Sequence, residues 1–292
     1  MKKIIKILLF SSFLFFAYYL LKLDFSQLNN FSFNGFYLSI SYLFLVVGFL
    51  LSAISWKVAL YTHKIKVSTN RAIVSHGLPI FSKYIPGRIW TILSRAALIK
   101  KENNNIKLLS FISLKEQLIY LCLGFFISIY PVYKTEQLKA YCLVIALVSF
   151  LGFVFLFSIK AQKIIEYLFE KILKKKIQIP KISFSEFFRL AWIILCYWSA
   201  WSIGFYFLLK SVLGFTSIYF ALAFPLSVSF GLIAIIFPGG IGVRESIISL
   251  FLIANGTTPE KAVAIAILTR IWFIIGEITI FLISVLIQKK QN

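Results

Sequence analysis

Two stretches place charged side chains inside apolar surroundings. In AIIFPGGIGVRESIISLF (234–251), Arg244 and Glu245 follow Pro238, Gly239, Gly240 and Gly242. In KYIPGRIWTILSRAALIK (83–100), Arg88 and Arg95 follow Pro86 and Gly87. Further along, Lys115 adjoins Glu116, and Arg270 and Glu277 stand two helical turns apart, on one face of a helix. Proline stops a helix and glycine permits the turn that starts the next. The break frees backbone N–H groups at a helix N-terminus, and a guanidinium beside it adds full charge and bidentate donors suited to phosphate. The expected substrate-binding residues are therefore Arg88, Arg95, Gly239, Gly240, Gly242, Arg244, Arg270 and Glu277, with Pro86, Gly87 and Pro238 as the helix breaks. Lys115, Glu116 and Glu245 are assigned to an ion-pair network. The structural alternative is that Arg244 pairs with Glu277, or Glu245 with Arg270, merely to lock helices together. A charge at a helix centre costs about 2.5–3.5 kcal/mol on insertion scales, so such groups face a cavity or one another.

The elements that position these residues are membrane helices. The chain is 60% hydrophobic with a mean hydropathy of +0.89, against roughly half apolar for soluble domains. Apolar runs lie at 4–23, 36–61, 72–99, 108–130, 140–159, 187–209, 216–254 and 262–287. Several reach the ~20 residues that cross a bilayer. The N-terminal run has a basic start but a long core and no small-x-small cleavage site, which favours an uncleaved span over a signal peptide. The net charge of +21 falls in short loops, where topology and anionic lipid explain it better than nucleic acid does. Cys122, Cys142 and Cys196 are scattered, and His63 and His76 have no metal-binding company. No cofactor or metal is expected.

Two runs are interrupted, 72–99 by LPIFSKYIPGRIW and 216–254 by FPGGIGVRE. Freed backbone groups are tolerated in hydrocarbon only against protein or a water-filled cavity, so each run forms a re-entrant hairpin or a kinked span. Re-entry of both places nearly all loop lysines on one side: the N-terminus, Lys64–Lys66, Lys100–Lys107, the seven lysines from Lys160 to Lys181, and Lys289–Lys290. By the positive-inside rule both termini and loop 160–186 are then cytoplasmic. The expected fold is an all-α polytopic membrane protein with six full spans and two Pro-Gly-broken re-entrant hairpins. Loop 160–186 is also amphipathic; it is read as a solvated connector, with a helix on an anionic leaflet as the alternative.

Pro86-Gly87 and Pro238-Gly239 are offset by 238 − 86 = 152 residues. Moving 36–61 by that offset gives 188–213, the fifth full span. One membrane domain, 1–292, thus divides into repeats 36–130 and 187–287, joined by span 140–159 and loop 160–186. In the topology above the repeats are inverted. Broken helices at matching places in inverted repeats point to a transporter site near the midplane.

KYIPGRIW…SRA, FPGGIGVRESIISLFL and AVAIAILTRIWFIIGEI together resemble the lysylphosphatidylglycerol synthase transmembrane-region family. Its best-known member is the flippase half of the bacterial multiple peptide resistance factor. The motif positions are Pro86, Gly87, Pro238, Gly239, Gly240, Gly242, Arg244, Glu245 and Arg270. The resemblance implies a bacterial inner membrane; the sequence departs from that best-known member in showing no soluble aminoacyl-transfer domain, so a stand-alone member is expected and the particular lipid stays open.

The expected function is a lipid transporter moving an anionic or modified phospholipid, or a lipid-linked precursor, between leaflets. No GxxxxGK[ST] loop is present, so a gradient, a partner or downhill flow would supply the energy; Glu277 is a candidate proton carrier. The alternatives are a non-catalytic membrane subunit recruiting envelope-biosynthesis enzymes, and an embedded lipid-modifying enzyme. No nucleophile–base or metal constellation supports the last. The sequence does not give the oligomeric state.

Overall fold

The computed structural model describes residues 32–85, 89–99, 105–160, 162–164, 167, 183–214, 216–234 and 237–291. The expected span 4–23, Pro86, Gly87, Arg88 and most of loop 160–186 lie outside the described residues. Nine helices longer than a single turn carry the described fold: α1 (Gly35–Thr62), α2 (Thr69–Gly77), α3 (Ile89–Ile99), α4 (Ile106–Lys134), α5 (Cys142–Phe157), α6 (Phe184–Leu213), α7 (Ala223–Ile233), α8 (Val243–Ala254) and α9 (Pro259–Gln291). Five are long and apolar enough to cross a membrane: α1, α4, α5 with its leading turn, α6 and α9.

Local sequence sets their ends. Asn34 caps α1 by accepting from the amides of Phe36 (3.1 Å) and Tyr37 (3.4 Å), and Asn105 caps α4 through Lys107. Ser183 and Glu186 close a reciprocal capping box at the start of α6. The helices overrun the apolar stretches that announced them: α2 begins at Thr69 behind Ser68, and α9 continues to Gln291. Hydropathy marks the hydrocarbon-facing length, while caps and helix-forming polar residues set the helix length.

The breaks also begin earlier than the Pro-Gly pairs suggest. The first opens at Leu78, because Pro79 has no amide hydrogen to donate, and passes through a tight turn at Ile80–Tyr84. The second opens at Ala234 and passes through Pro238–Gly240.

The element order repeats. Helices α1, α2, α3 and α4 start at 35, 69, 89 and 106; α6, α7, α8 and α9 start at 184, 223, 243 and 259, later by 149, 154, 154 and 153 residues. The packing repeats too. The long helices α1 and α6 form the most extensive contact, lying side by side. Ser41 Oγ donates to the Gly204 carbonyl (2.6 Å) and Trp201 Nε1 to that of Leu45 (3.3 Å). Such close approach of small and polar residues is how helices associate in lipid. Each short helix before a break packs on the long helix of the other half, α2 on α9 and α7 on α4. Each helix after a break packs on the long helix of its own half, α3 on α4 and α8 on α9. Helix α5 stands at the edge against α4, with Leu143, Leu147 and Leu151 exposed.

Candidate functional site

The two breaks meet at the centre, where the turn Ile80–Tyr84 touches Pro238–Gly240. Gly239 (φ 62°) and Gly240 (φ 73°) are both left-handed. A Cβ on Gly239 would lie 2.7 Å from the Tyr84 ring, and one on Gly240 would lie 2.8 Å from the backbone of Gly231. Only glycine satisfies both the conformation and the approach. The Pro-Gly-Gly sequence thus seats the second break against α7 on one side and against Tyr84 of the first break on the other.

Tyr84 is the hub of a buried network. Its hydroxyl donates to Glu277 Oε2 (3.0 Å) and accepts from Arg270 Nη2 (3.3 Å). Lys83 Nζ donates to Glu277 Oε1, and Arg270 Nε lies 3.6 Å from Glu245 Oε1. The network ties the first break, α8 and α9 together. The Glu277 side chain is fully buried, while that of Lys83 is 22% exposed.

A second cluster lies on α3 and α4. Arg95 Nη2 donates to Glu116 Oε2 at 2.8 Å, and the Arg95 guanidinium lies 4.3 Å from the Trp56 ring centroid. Both side chains are nearly fully buried. Lys115 points elsewhere because successive helical residues differ by about 100°. Its Nζ lies 3.2 Å from His63 Nε2 and 3.9 Å from Glu186 Oε2, joining the end of α1 to the start of α6.

Between the clusters lies a cavity of roughly 180 Å³. Lys83, Gly239 and Arg244 line one side, Arg95, Glu116 and Gln117 the other, and Tyr120, Tyr197, Trp201 and Phe273 the walls. Drug-sized ligands occupy about 300–1,000 Å³, so the space suits a headgroup and not a whole lipid.

Arg244 differs from the other cations. It is 7% exposed, in the first turn of α8, and its side chain crosses Gly231, where a Cβ would collide with it. Its guanidinium lies 4.6 Å from the Phe273 ring centroid and 5.7 Å from that of Phe224. Among the described residues no hydrogen bond or ion pair reaches it. Aromatic contact returns about 0.5–2 kcal/mol, less than the several kcal/mol that desolvating an ion costs.

The structure therefore distributes the expected residues among different places. Arg95, Gly239 and Arg244 line the cavity; Arg270 and Glu277 stand behind it; Gly240 and Gly242 shape the backbone, Gly242 (φ 80°) as the cap of α8. The Glu245–Arg270 pair forms. The alternative Arg244–Glu277 pair does not, because Lys83 takes Glu277. Lys83 and Tyr84 were not singled out in the sequence. The signal for Lys83 was present in KYIPG, a lysine inside an apolar run beside a break, the criterion that singled out Arg88. Among the described residues no cluster of three metal-ligating side chains occurs.

No curated protein and no solved structure matches the chain. A family model does: that of the lysylphosphatidylglycerol synthase TM region aligns with residues 3–276. The match takes in both breaks, Arg244 and Arg270, and the chain is a membrane protein belonging to that family.

Proposed function

We propose that the protein is a lipid transporter that moves an anionic or modified phospholipid, or a lipid-linked precursor, between leaflets. The observation that carries this reading is Arg244, a buried guanidinium facing a headgroup-sized cavity without a carboxylate partner among the described residues. A guanidinium so placed holds water or the oxygens of an anion. The two breaks lining the cavity supply backbone that can rearrange between two openings. The repeats 36–130 and 187–287, joined by span 140–159 and loop 160–186, are inverted in this reading, with both termini cytoplasmic in a bacterial inner membrane. Reciprocal seating of α2 on α9 and α7 on α4 supports rocking of one half against the other. The protein acts here as a carrier and not as an enzyme, and Arg95, Arg270 and Glu277 hold the site's shape and charge. Envelope-biosynthesis enzymes are the partners this role would serve.

The test is translocation in proteoliposomes of purified protein. Labelled phosphatidylglycerol, aminoacylated phosphatidylglycerol and a short polyprenyl phosphate form the panel, beside Arg244→Ala. Movement of one lipid that folded Arg244→Ala no longer supports is the expected result. Movement of none by folded protein overturns transport by this chain alone and favours the subunit role.

A further inference from the structure

Three helices that line the cavity meet again far from it. Helix α4 lines it through Gln117 and Tyr120, α7 through Val228 and Leu232, and α8 through Arg244. At their other ends the same elements are joined by a neutral latch. Tyr219, in the turn leading into α7, donates its hydroxyl to Asn255 Oδ1 (2.8 Å). Asn255 caps the end of α8 and donates from Nδ2 to Oγ1 of Thr135 (3.1 Å), the residue after α4. The same Nδ2 donates to the Phe251 carbonyl (2.7 Å), and Thr135 Oγ1 donates to that of Pro131 (2.9 Å). The oxygen and both hydrogens of the Asn255 amide are therefore in use, a set of bonds that requires an amide.

Asn255 lies 255 − 244 = 11 residues beyond Arg244, about 16 Å along α8 at 1.5 Å per residue. The interval is filled by a hydrophobic cluster separate from the main core. Phe125 and Val132 of α4, Leu226 and Phe230 of α7 and Ile247 of α8 belong to it. The Phe125 and Phe230 rings meet edge to face with centroids 5.3 Å apart. Latch and cluster differ in kind from the charged pairs beside the cavity. Parting Lys83 from Glu277 strands a buried charge. Asn255 and Tyr219 are half-buried and neutral, so water can take over their bonds when the helices separate, and opening there is reversible at low cost.

We infer that the polar latch Tyr219–Asn255–Thr135 and the apolar plug beneath it form a gate, shut in this structure, between the cavity and the membrane face that bears turn 134–142. In the topology proposed above that face is external. The inference deepens the transport reading and rests on it. Alternating access needs a closure on each side of the site, and this one joins the far ends of three helices that wall the cavity. Asn255 and Tyr219 are remote from the bound headgroup and act by setting how often the gate opens.

Thiol accessibility tests the gate without requiring transport. The reporter is Val228→Cys, at the cavity, in the full chain with Cys122, Cys142 and Cys196 replaced by serine. A membrane-impermeant maleimide is applied to right-side-out and to inverted vesicles. Asn255→Leu removes the amide at the centre of the latch and should raise labelling from the 134–142 face about tenfold. Tyr219→Phe removes one hydrogen bond, should raise it about threefold, and serves if Asn255→Leu does not fold, because the ring is kept. Lys139→Ala breaks only the exposed Lys139–Glu136 pair of the same turn and should leave labelling unchanged. Unchanged labelling in the folded latch variants overturns the inference, and so does an equal rise from both faces, which would mean general loosening. A one-sided rise in protein that moves no lipid in proteoliposomes would instead sink the transport reading and leave the gate standing.

Discussion

The helices that follow the two breaks carry the same device with its signs exchanged. On α3 the half-helix supplies Arg95 and the long helix α4 supplies Glu116; on α8 the half-helix supplies Glu245 and the long helix α9 supplies Arg270. The first pair is a 2.8 Å hydrogen-bonded contact backed by Trp56. The second is a 3.6 Å contact in which Glu245 has an 18% exposed side chain and neither carboxylate oxygen makes a hydrogen bond. Arg244, next to Glu245, faces the cavity instead. The first pair is closed, and beside the second Arg244 faces the cavity with no carboxylate partner among the described residues. The difference teaches that internal repetition fixes where charges sit but not how tightly they pair.

The largest expected effect comes from breaking the closed pair. Glu116→Gln should cost about 3–5 kcal/mol by stranding Arg95, read as a fall in thermal unfolding temperature in detergent. Glu245→Gln should cost about 1–2 kcal/mol, because Arg270 keeps its bond to Tyr84. Equal losses would break the comparison. Gly240→Ala comes next, at about 2–3 kcal/mol, since it combines left-handed strain with a backbone collision. Gly242→Ala meets no atom within 4 Å and should cost nearer 1 kcal/mol, for its φ alone. The same unfolding assay separates them.

Arg244→Ala sharpens the comparison on function. Lipid translocation should fall about 10- to 100-fold, the worth of a charge-assisted hydrogen bond, with little change in unfolding temperature. Arg244→Lys should fall between, since a point charge replaces a fork. A stability loss as large as that of Glu116→Gln would mean that Arg244 is structural. The smallest effect belongs to the exposed Lys139–Glu136 pair, where Lys139→Ala should change stability by no more than about 0.5 kcal/mol.

The sequence displayed the spans and the two breaks because lipid enforces both. Apolar length is obligatory in hydrocarbon, and Pro-Gly is conspicuous inside it. The candidate positions Arg95, Gly239 and Arg244 were legible for the same reason, as polar or turn-forming residues in apolar runs. Partner choice was not. Lys83 and Glu277 are 194 residues apart, and their pairing depends on the two breaks meeting, which no one-dimensional pattern encodes. Tyr84 was hidden among 14 tyrosines, since nothing in its type or spacing distinguishes a hub from a wall. Helix ends were shifted because caps such as Ser68 and Asn105 are polar and fall outside a hydropathy window.

The crossed seating of α2 on α9 also sets a clock for biosynthesis. Ser284 Oγ donates to the carbonyl of Ile73, 211 residues earlier, and a Cβ on Gly77 would meet Ser284 and the Ile280 carbonyl. At about 5–20 residues per second, a ribosome needs ~10–40 s between the two segments. Throughout that interval the first break, with Lys83 and its prolines, has been made and its counterpart has not. A translocon or insertase that shelters polar segments during elongation is therefore the machinery on which this protein's yield should depend most. A premature stop anywhere before α9 should give a chain that cannot bury Lys83, and quality-control proteolysis is its expected fate.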